Sequence, residues 1–103
     1  MREFLASGAA FDAVVASDYL MAEAAMHEIQ MSGRRIPDEV AVVGFGDGPE
    51  AALAGITTVA ADVTELGRRA ARQLIGQING LRIRGLTLLS TELIERDTTR
   101  AIE

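Results

Sequence analysis

The run from Ile36 to Val59, Ile-Pro-Asp-Glu-Val-Ala-Val-Val-Gly-Phe-Gly-Asp-Gly-Pro-Glu-Ala-Ala-Leu-Ala-Gly-Ile-Thr-Thr-Val, constrains this chain more than any other stretch. A turn feeds an apolar strand, Val40 to Val43. The strand stops at an acidic, Gly-rich loop. A short Ala-rich segment then leads to a second β-branched run, Thr57-Thr58-Val59. A continuous apolar run of this length suits a strand covered on both faces, the hallmark of a parallel sheet. Ala13-Val14-Val15-Ala16 is a second such run. Between the two, Asp18 to Ser32 predicts a helix, with Glu23, His27, Gln30 and Arg34 marking one polar stripe at helical spacing. Gly33 supplies the stop, and Pro37 follows a few residues later. Strand, helix and strand in this order make a βαβ unit, which crosses over right-handed. The fold class expected is α/β, a doubly wound arrangement with a parallel sheet flanked by helices.

Further along, Asp62-Val63-Thr64-Glu65 predicts a helix start in which Asp62 caps and Glu65 reaches back. Leu66, Ala70, Leu74 and Ile78 should form its buried line, with Glu65 and Arg69 an exposed pair one turn apart. Asn79-Gly80 ends it. Leu86 to Leu89 and Glu92 to Glu95 read as extended segments, Met1 to Gly8 as the tail of a helix, and Asp97 to Glu103 as a polar, frayed terminus.

Composition narrows the function. At 103 residues the chain is one domain at most, long enough to bury a core. The net charge of −5 leaves no basic surface for nucleic acid by itself. The absence of cysteine removes disulfides, thiol catalysis and thiolate metal sites. The N-terminus lacks the apolar core of a signal peptide, and no apolar run is long enough to span a bilayer, so a cytoplasmic home with no membrane partner is expected. No catalytic residues emerge: there is one His, no Gly-x-Ser-x-Gly elbow and no phosphate-loop Gly-Lys-Ser/Thr. No His/Asp/Glu spacing predicts a metal, and no cofactor is expected. Gly44-Phe45-Gly46-Asp47-Gly48 follows a strand, but its spacing is Gly-x-Gly-x-Gly rather than the dinucleotide fingerprint, and Pro49 sits where pyrophosphate needs free amides.

In an open α/β sheet, ligands bind beyond the carboxyl ends of the strands. That rule selects Ser17, Asp18 and Tyr19 after the first strand, and Gly46 and Asp47 after the second. Hydroxyls and carboxylates there suit a sugar or polyol. Each residue also has a purely structural role open to it. Asp18 can cap the helix, which is compatible with ligand contact. Asp47 can start a turn or cap the short helix after it. Tyr19 can pack on the sheet instead of facing the cleft. Met21, Met26 and Met31 fit core or interface packing, and His27 a solvated face.

These residues carry a resemblance. Phe11 to Asp18 with Leu20-Met21-Ala22, then Gly33 to Phe45, Leu53 to Val59, Glu65 to Ala71 and Glu92 to Thr98, resemble in order the C-terminal part of the effector domain of LacI/GalR-type transcriptional regulators. The resemblance implies a partial periplasmic-binding-protein-like fold, in which two lobes close on a small molecule (a sugar, polyol or nucleobase) and closure alters DNA affinity. By that template residues 1–61 belong to the C-terminal lobe, 62–88 to the other lobe, and 89–103 to a return strand. It implies a homodimer, with Met21, Ala22, Ala25, Met26, Ile29, Ala51 and Leu53 at the interface. DNA would be reached only through a helix-turn-helix, which this sequence does not contain. The sequence departs from the family at the ligand loop. Members usually carry Gly-Phe/Tyr-Asp-Asp, and here the first Asp is Gly46. The family's Asn-Asp pair falls on Ser17-Asp18 when counted from the strand, and on Asp18-Tyr19 when counted from the helix. A transport receptor of the same architecture and a nucleotide-binding enzyme are the alternative readings.

Overall fold

A computed structural model describes residues 1–82 and 85–102. Eight elements follow in chain order: α1 (Arg2–Ala6), β1 (Ala13–Val15), α2 (Tyr19–Met31), β2 (Ala41–Phe45), α3 (Pro49–Leu53), β3 (Thr57–Ala61), α4 (Val63–Ile78) and β4 (Thr91–Ile94). The strands lie in the order β1-β2-β3-β4. The first three are parallel, paired Val14 to Val42 and Val43 to Thr57, and β4 makes the sheet a mixed one. The chain divides into two compact units, residues 1–60 with 93–103, and residues 61–92.

In the first unit the βαβ reading holds. The β-branched runs place side chains on both faces of β2, and α2 covers one of them. Ala22, Ile29, Val40, Val42 and Ile56 are fully buried and form the core, with Phe11, Val14, Met26 and Ile36 packed around it. Asp18 stands at the N-cap of α2 with extended backbone, its carboxylate accepting from the amides of Leu20 at 2.7 Å and Met21 at 3.4 Å. Arg34, expected on the solvent stripe, instead folds back over the Phe11 ring at 4.3 Å and donates to the Phe11 carbonyl at 2.6 Å.

The C-terminal run also differs from expectation. Asp97 to Thr99 is no frayed tail. Thr98 is 2% exposed; its hydroxyl donates to the Val42 carbonyl at 2.6 Å and accepts from the Thr57 amide at 2.9 Å. Thr57 and Thr99 share a hydroxyl contact at 2.7 Å, and the Thr57 hydroxyl accepts from the Arg96 amide. Sequence polarity pointed to solvent, but these polar groups satisfy backbone donors and acceptors inside the fold.

In the second unit α4 starts as the cap predicts: Asp62 accepts from the Glu65 amide at 2.9 Å. Glu65 does not complete the box. Its carboxylate pairs with Arg68 and with Arg69, the latter at 2.9 Å, because two guanidinium groups one turn ahead outcompete an exposed amide. The line Leu66, Ala70, Leu74 and Ile78, expected to be buried, is exposed, with Ile78 at 74%. The helix is amphipathic, and from it Gln73 donates to the Thr87 hydroxyl at 2.9 Å. Leu86 to Leu89 forms no strand, while Glu92 falls within β4.

Candidate functional site

The parallel pairing of β1 and β2 brings the two ligand-loop candidates to the same end of the sheet. Val15 lies opposite Val43, the Ala16 amide donates to the Val43 carbonyl at 2.8 Å, and the Gly46 amide donates to the Val59 carbonyl at 2.9 Å. The two tips interlock. A Cβ placed on Gly44 would stand 3.0 Å from the Tyr19 Cα and 3.3 Å from the Ala22 Cβ. A Cβ on Gly46 would stand 3.3 Å from the Tyr19 Cδ1, and one on Gly48 would run into the phenol end of the same ring. Gly46 also has φ +86°, a conformation that residues with a Cβ rarely adopt. The glycines at every second position therefore make room for Tyr19 and the start of α2. They are packing glycines, which removes the basis for a phosphate loop.

Each candidate has a definite place. Ser17 is exposed, its hydroxyl 3.4 Å from the Met21 sulfur. Asp18 is half-buried and caps α2. Tyr19 is half-buried, and its hydroxyl donates to Glu50 Oε2 at 3.2 Å. The loss of solvent, then the Glu50 and Asp18 carboxylates, push the Tyr19 phenol above its ordinary range, so it stays a donor. Asp47 neither begins a simple turn nor caps α3, whose N-cap is Gly48. Its carboxylate accepts from the Thr58 hydroxyl at 3.1 Å and pairs with Arg96 at 2.7 Å. The Arg96 hydrogen bond, seconded by Thr58, outweighs desolvation and holds the Asp47 carboxyl below the usual aspartate range.

Two residues at this rim escaped sequence reasoning. Glu50 is reached only through the Tyr19 hydroxyl, and Arg96 only through the pairing that brings the C-terminal run beside β3. The Arg96 guanidinium also donates to the Ile56 carbonyl at 2.9 Å. A charged residue beside a strand end was the available signal for Arg96; none existed for Glu50.

The interface candidates divide. Ala22, Ile29 and Ala51 are fully buried within the chain and offer no surface to a partner, a correction that follows from α2 packing on β2 through Ala22 and Ile29 and from α3, which carries Ala51, packing against α2. Met26 packs against the core and Ala25 is half-buried, whereas Met21 and Leu53 stand open, Leu53 at 88%.

Neither of two cavities is lined by Ser17, Asp18, Tyr19, Gly46 or Asp47. One of about 600 Å³ is lined by Met1, Arg2, Val15, Met21 and Glu28 among others, and one of about 270 Å³ by Thr57, Arg96, Thr99 and Arg100 among others. Among the described residues no group of His, Asp and Glu could hold a metal ion, and no helix is long and apolar enough to cross a membrane.

Comparison with known proteins places this geometry. Residues 3–99 match the model of the periplasmic binding protein-like domain. The chain is 39% identical over 101 residues to the HTH-type transcriptional regulator CelR of Thermobifida fusca, covering 95% of this chain and 30% of that one. It is similar to a lac repressor dimer solved with its operator and an anti-inducer, at 29% identity and TM-score 0.87, over 97% of this chain and 36% of that chain. It is similar to a CelR–cellobiose complex at 38% identity and TM-score 0.76, over 84% of this chain and 28% of that chain. The chain thus spans about a third of these relatives' length. They are transcriptional regulators and not enzymes. A β1–β2 rim, a complete βαβ unit and a match over nearly every residue agree: the chain belongs to the periplasmic binding protein-like family, as part of the effector domain of a LacI/GalR-type regulator.

Proposed function

We propose that this chain is the ligand-sensing and dimer-forming portion of a sugar-responsive repressor. Ser17, Asp18 and Tyr19, with the Gly46–Asp47 loop, form one wall of the effector site. Residues 1–61 belong to the C-terminal lobe, 62–88 to the other lobe and 89–103 to a return strand. A small effector that binds one arrangement of the lobes better than another shifts their populations, and this changes affinity for DNA by the same free energy. The single observation that carries the reading is the juxtaposition of the two strand tips, fixed by the Val15–Val43 register. The wall is polar, and its paired carboxylate (Asp47 with Arg96) gives the loop a defined shape. The relatives support a sugar: the CelR complex holds cellobiose. The setting is cytoplasmic, with DNA as partner through a helix-turn-helix elsewhere in a protein of the relatives' length.

Calorimetric titration of the full-length protein with sugars, polyols and purines tests the effector reading. A sugar should bind, and Ser17→Ala should weaken it about five-fold, in keeping with the loss of one hydrogen bond of about 1 kcal/mol. Binding of a nucleotide alone would overturn the reading. For dimerisation, the exposed Met21 and Leu53 with the partly buried Ala25 form the contact. Met21→Glu and Leu53→Glu should each shift the protein toward monomer in sedimentation; an unchanged mass would sink this contact.

A further inference from the structure

We propose that Arg96 is a positioning residue for the loop after β2: from the run that re-enters the first compact unit, its guanidinium fixes the Asp47 carboxylate, so that the loop and the run move together. This role rests on the effector site proposed above. The chain leaves the first unit after Ala60 and re-enters it at Leu93. Thr58 stands just before the exit, and Arg96 just after the re-entry. Both meet on one atom of the loop. Asp47 Oδ1 accepts from the Thr58 hydroxyl at 3.1 Å and pairs with Arg96 Nη1 at 2.7 Å. Asp47 Oδ2 has no hydrogen-bond partner among the described residues, and the side chain keeps 25% of its exposure. One oxygen is held by the protein while the other is left for a ligand. Gly46 and Gly48 flank Asp47 and carry no side chain, so the Asp47 carboxylate is the handle by which this stretch is gripped.

Arg96 is itself anchored. Its amide donates to the Thr57 hydroxyl and its Nη1 to the Ile56 carbonyl, each at 2.9 Å. Ile56 and Thr57 are sealed in the interior. The residues that follow extend the anchor, with the Asp97 and Thr98 amides both donating to the Gly55 carbonyl. The Arg96 side chain is only 18% exposed, so its attraction to Asp47 is less screened than that of a surface pair. A shift of the 96–98 run therefore carries the guanidinium, and with it the carboxylate. A ligand that favours one position of Asp47 favours the matching position of the run, and the run changes ligand affinity by the same free energy.

Hydrogen exchange and calorimetry of the full-length protein test this, with cellobiose as the probe. Arg96→Met keeps an unbranched stem and removes the charge and every donor. It should speed amide exchange across Phe45 to Gly48 about ten-fold or more, the loss of one charge-assisted hydrogen bond, and leave Ala22 to Ile29 within about two-fold. Arg96→Lys keeps a cationic donor and should recover part of that protection. Thr98→Val, a structural change in the same run, should not single out the loop. Cellobiose should bind Arg96→Met about five-fold or more weakly, with Arg96→Lys between. Loop exchange that is unchanged in Arg96→Met, or rises no more than across Ala22 to Ile29, overturns the positioning role. If Ser17→Ala still weakens cellobiose in that case, the site stands without it. Thr98→Val that loosens the loop as selectively as Arg96→Met also overturns the role, since any disturbance of the run would then suffice. Cellobiose binding that ignores Ser17→Ala and Arg96→Met alike overturns the site and this inference together. If cellobiose does not bind, the exchange result decides alone. If Arg96→Met fails to fold, Arg96→Lys decides by the same comparison of the two segments.

Discussion

Thr98 joins two strands through one hydroxyl, so its replacement reads out how tightly the C-terminal run is held. Thr98→Val keeps the shape and leaves the Val42 carbonyl and the Thr57 amide unpaired in the interior. It should cost about 1–3 kcal/mol in urea unfolding, and Thr98→Ser much less. Gly44 is the second sensitive residue. A Cβ there presses on the Tyr19 backbone at 3.0 Å, and Gly44→Ala should destabilise by about 1–3 kcal/mol because main chain, not a mobile side-chain end, must move. Asp47 gives a pH prediction. Its folded carboxyl titrates below the ordinary value of about 3.9, so the Arg96 pair contributes stability above that value and loses it as pH falls through the folded pKa. Asp47→Asn should lower the melting temperature at pH 7 and flatten the acid side of the melting profile below about pH 4. A profile parallel to that of the unmodified protein would show that the pair adds nothing.

Among elements, α2 and α4 contrast. Both begin with an aspartate whose carboxylate accepts from the first free amides. α2 is held by tertiary packing as well, with Ala22 and Ile29 sealed against β2. α4 has no buried residue within the described chain, so its local devices matter more. Asp62→Ala should lower helical circular dichroism and stability by about 1 kcal/mol, whereas the same loss at Asp18 is cushioned by the core beneath it. The amphipathic pattern of α4 was legible in Leu66, Ala70, Leu74 and Ile78. That the line stays uncovered was not, because a period of 3.6 reports which face is apolar and nothing about what meets it.

At the level of the whole molecule, both compact units leave apolar side chains in solvent: Val15 and Leu53 in one, Leu74 and Ile78 in the other. The chain by itself should self-associate with rising concentration in sedimentation, and Leu74→Glu with Ile78→Glu should reduce that association. The sequence by itself determined the βαβ unit, the helix caps and the parallel neighbours. Val40 to Val43, Asp18 and Asp62 each carry a local rule, and strand hydrophobicity and amide capping act over a few residues. It also determined the family, since Gly33 to Phe45 and Glu92 to Thr98 keep their order. Only the tertiary structure decided what the polar groups do. Asp47 met Arg96 across 49 positions of sequence, Thr98 met Val42 across 56, and Tyr19 met Glu50 across 31. Such pairings depend on where the strands deliver their ends, and side-chain identity at either partner cannot announce the other. The same holds for the alternate glycines, whose shared neighbour, Tyr19, no local rule announces.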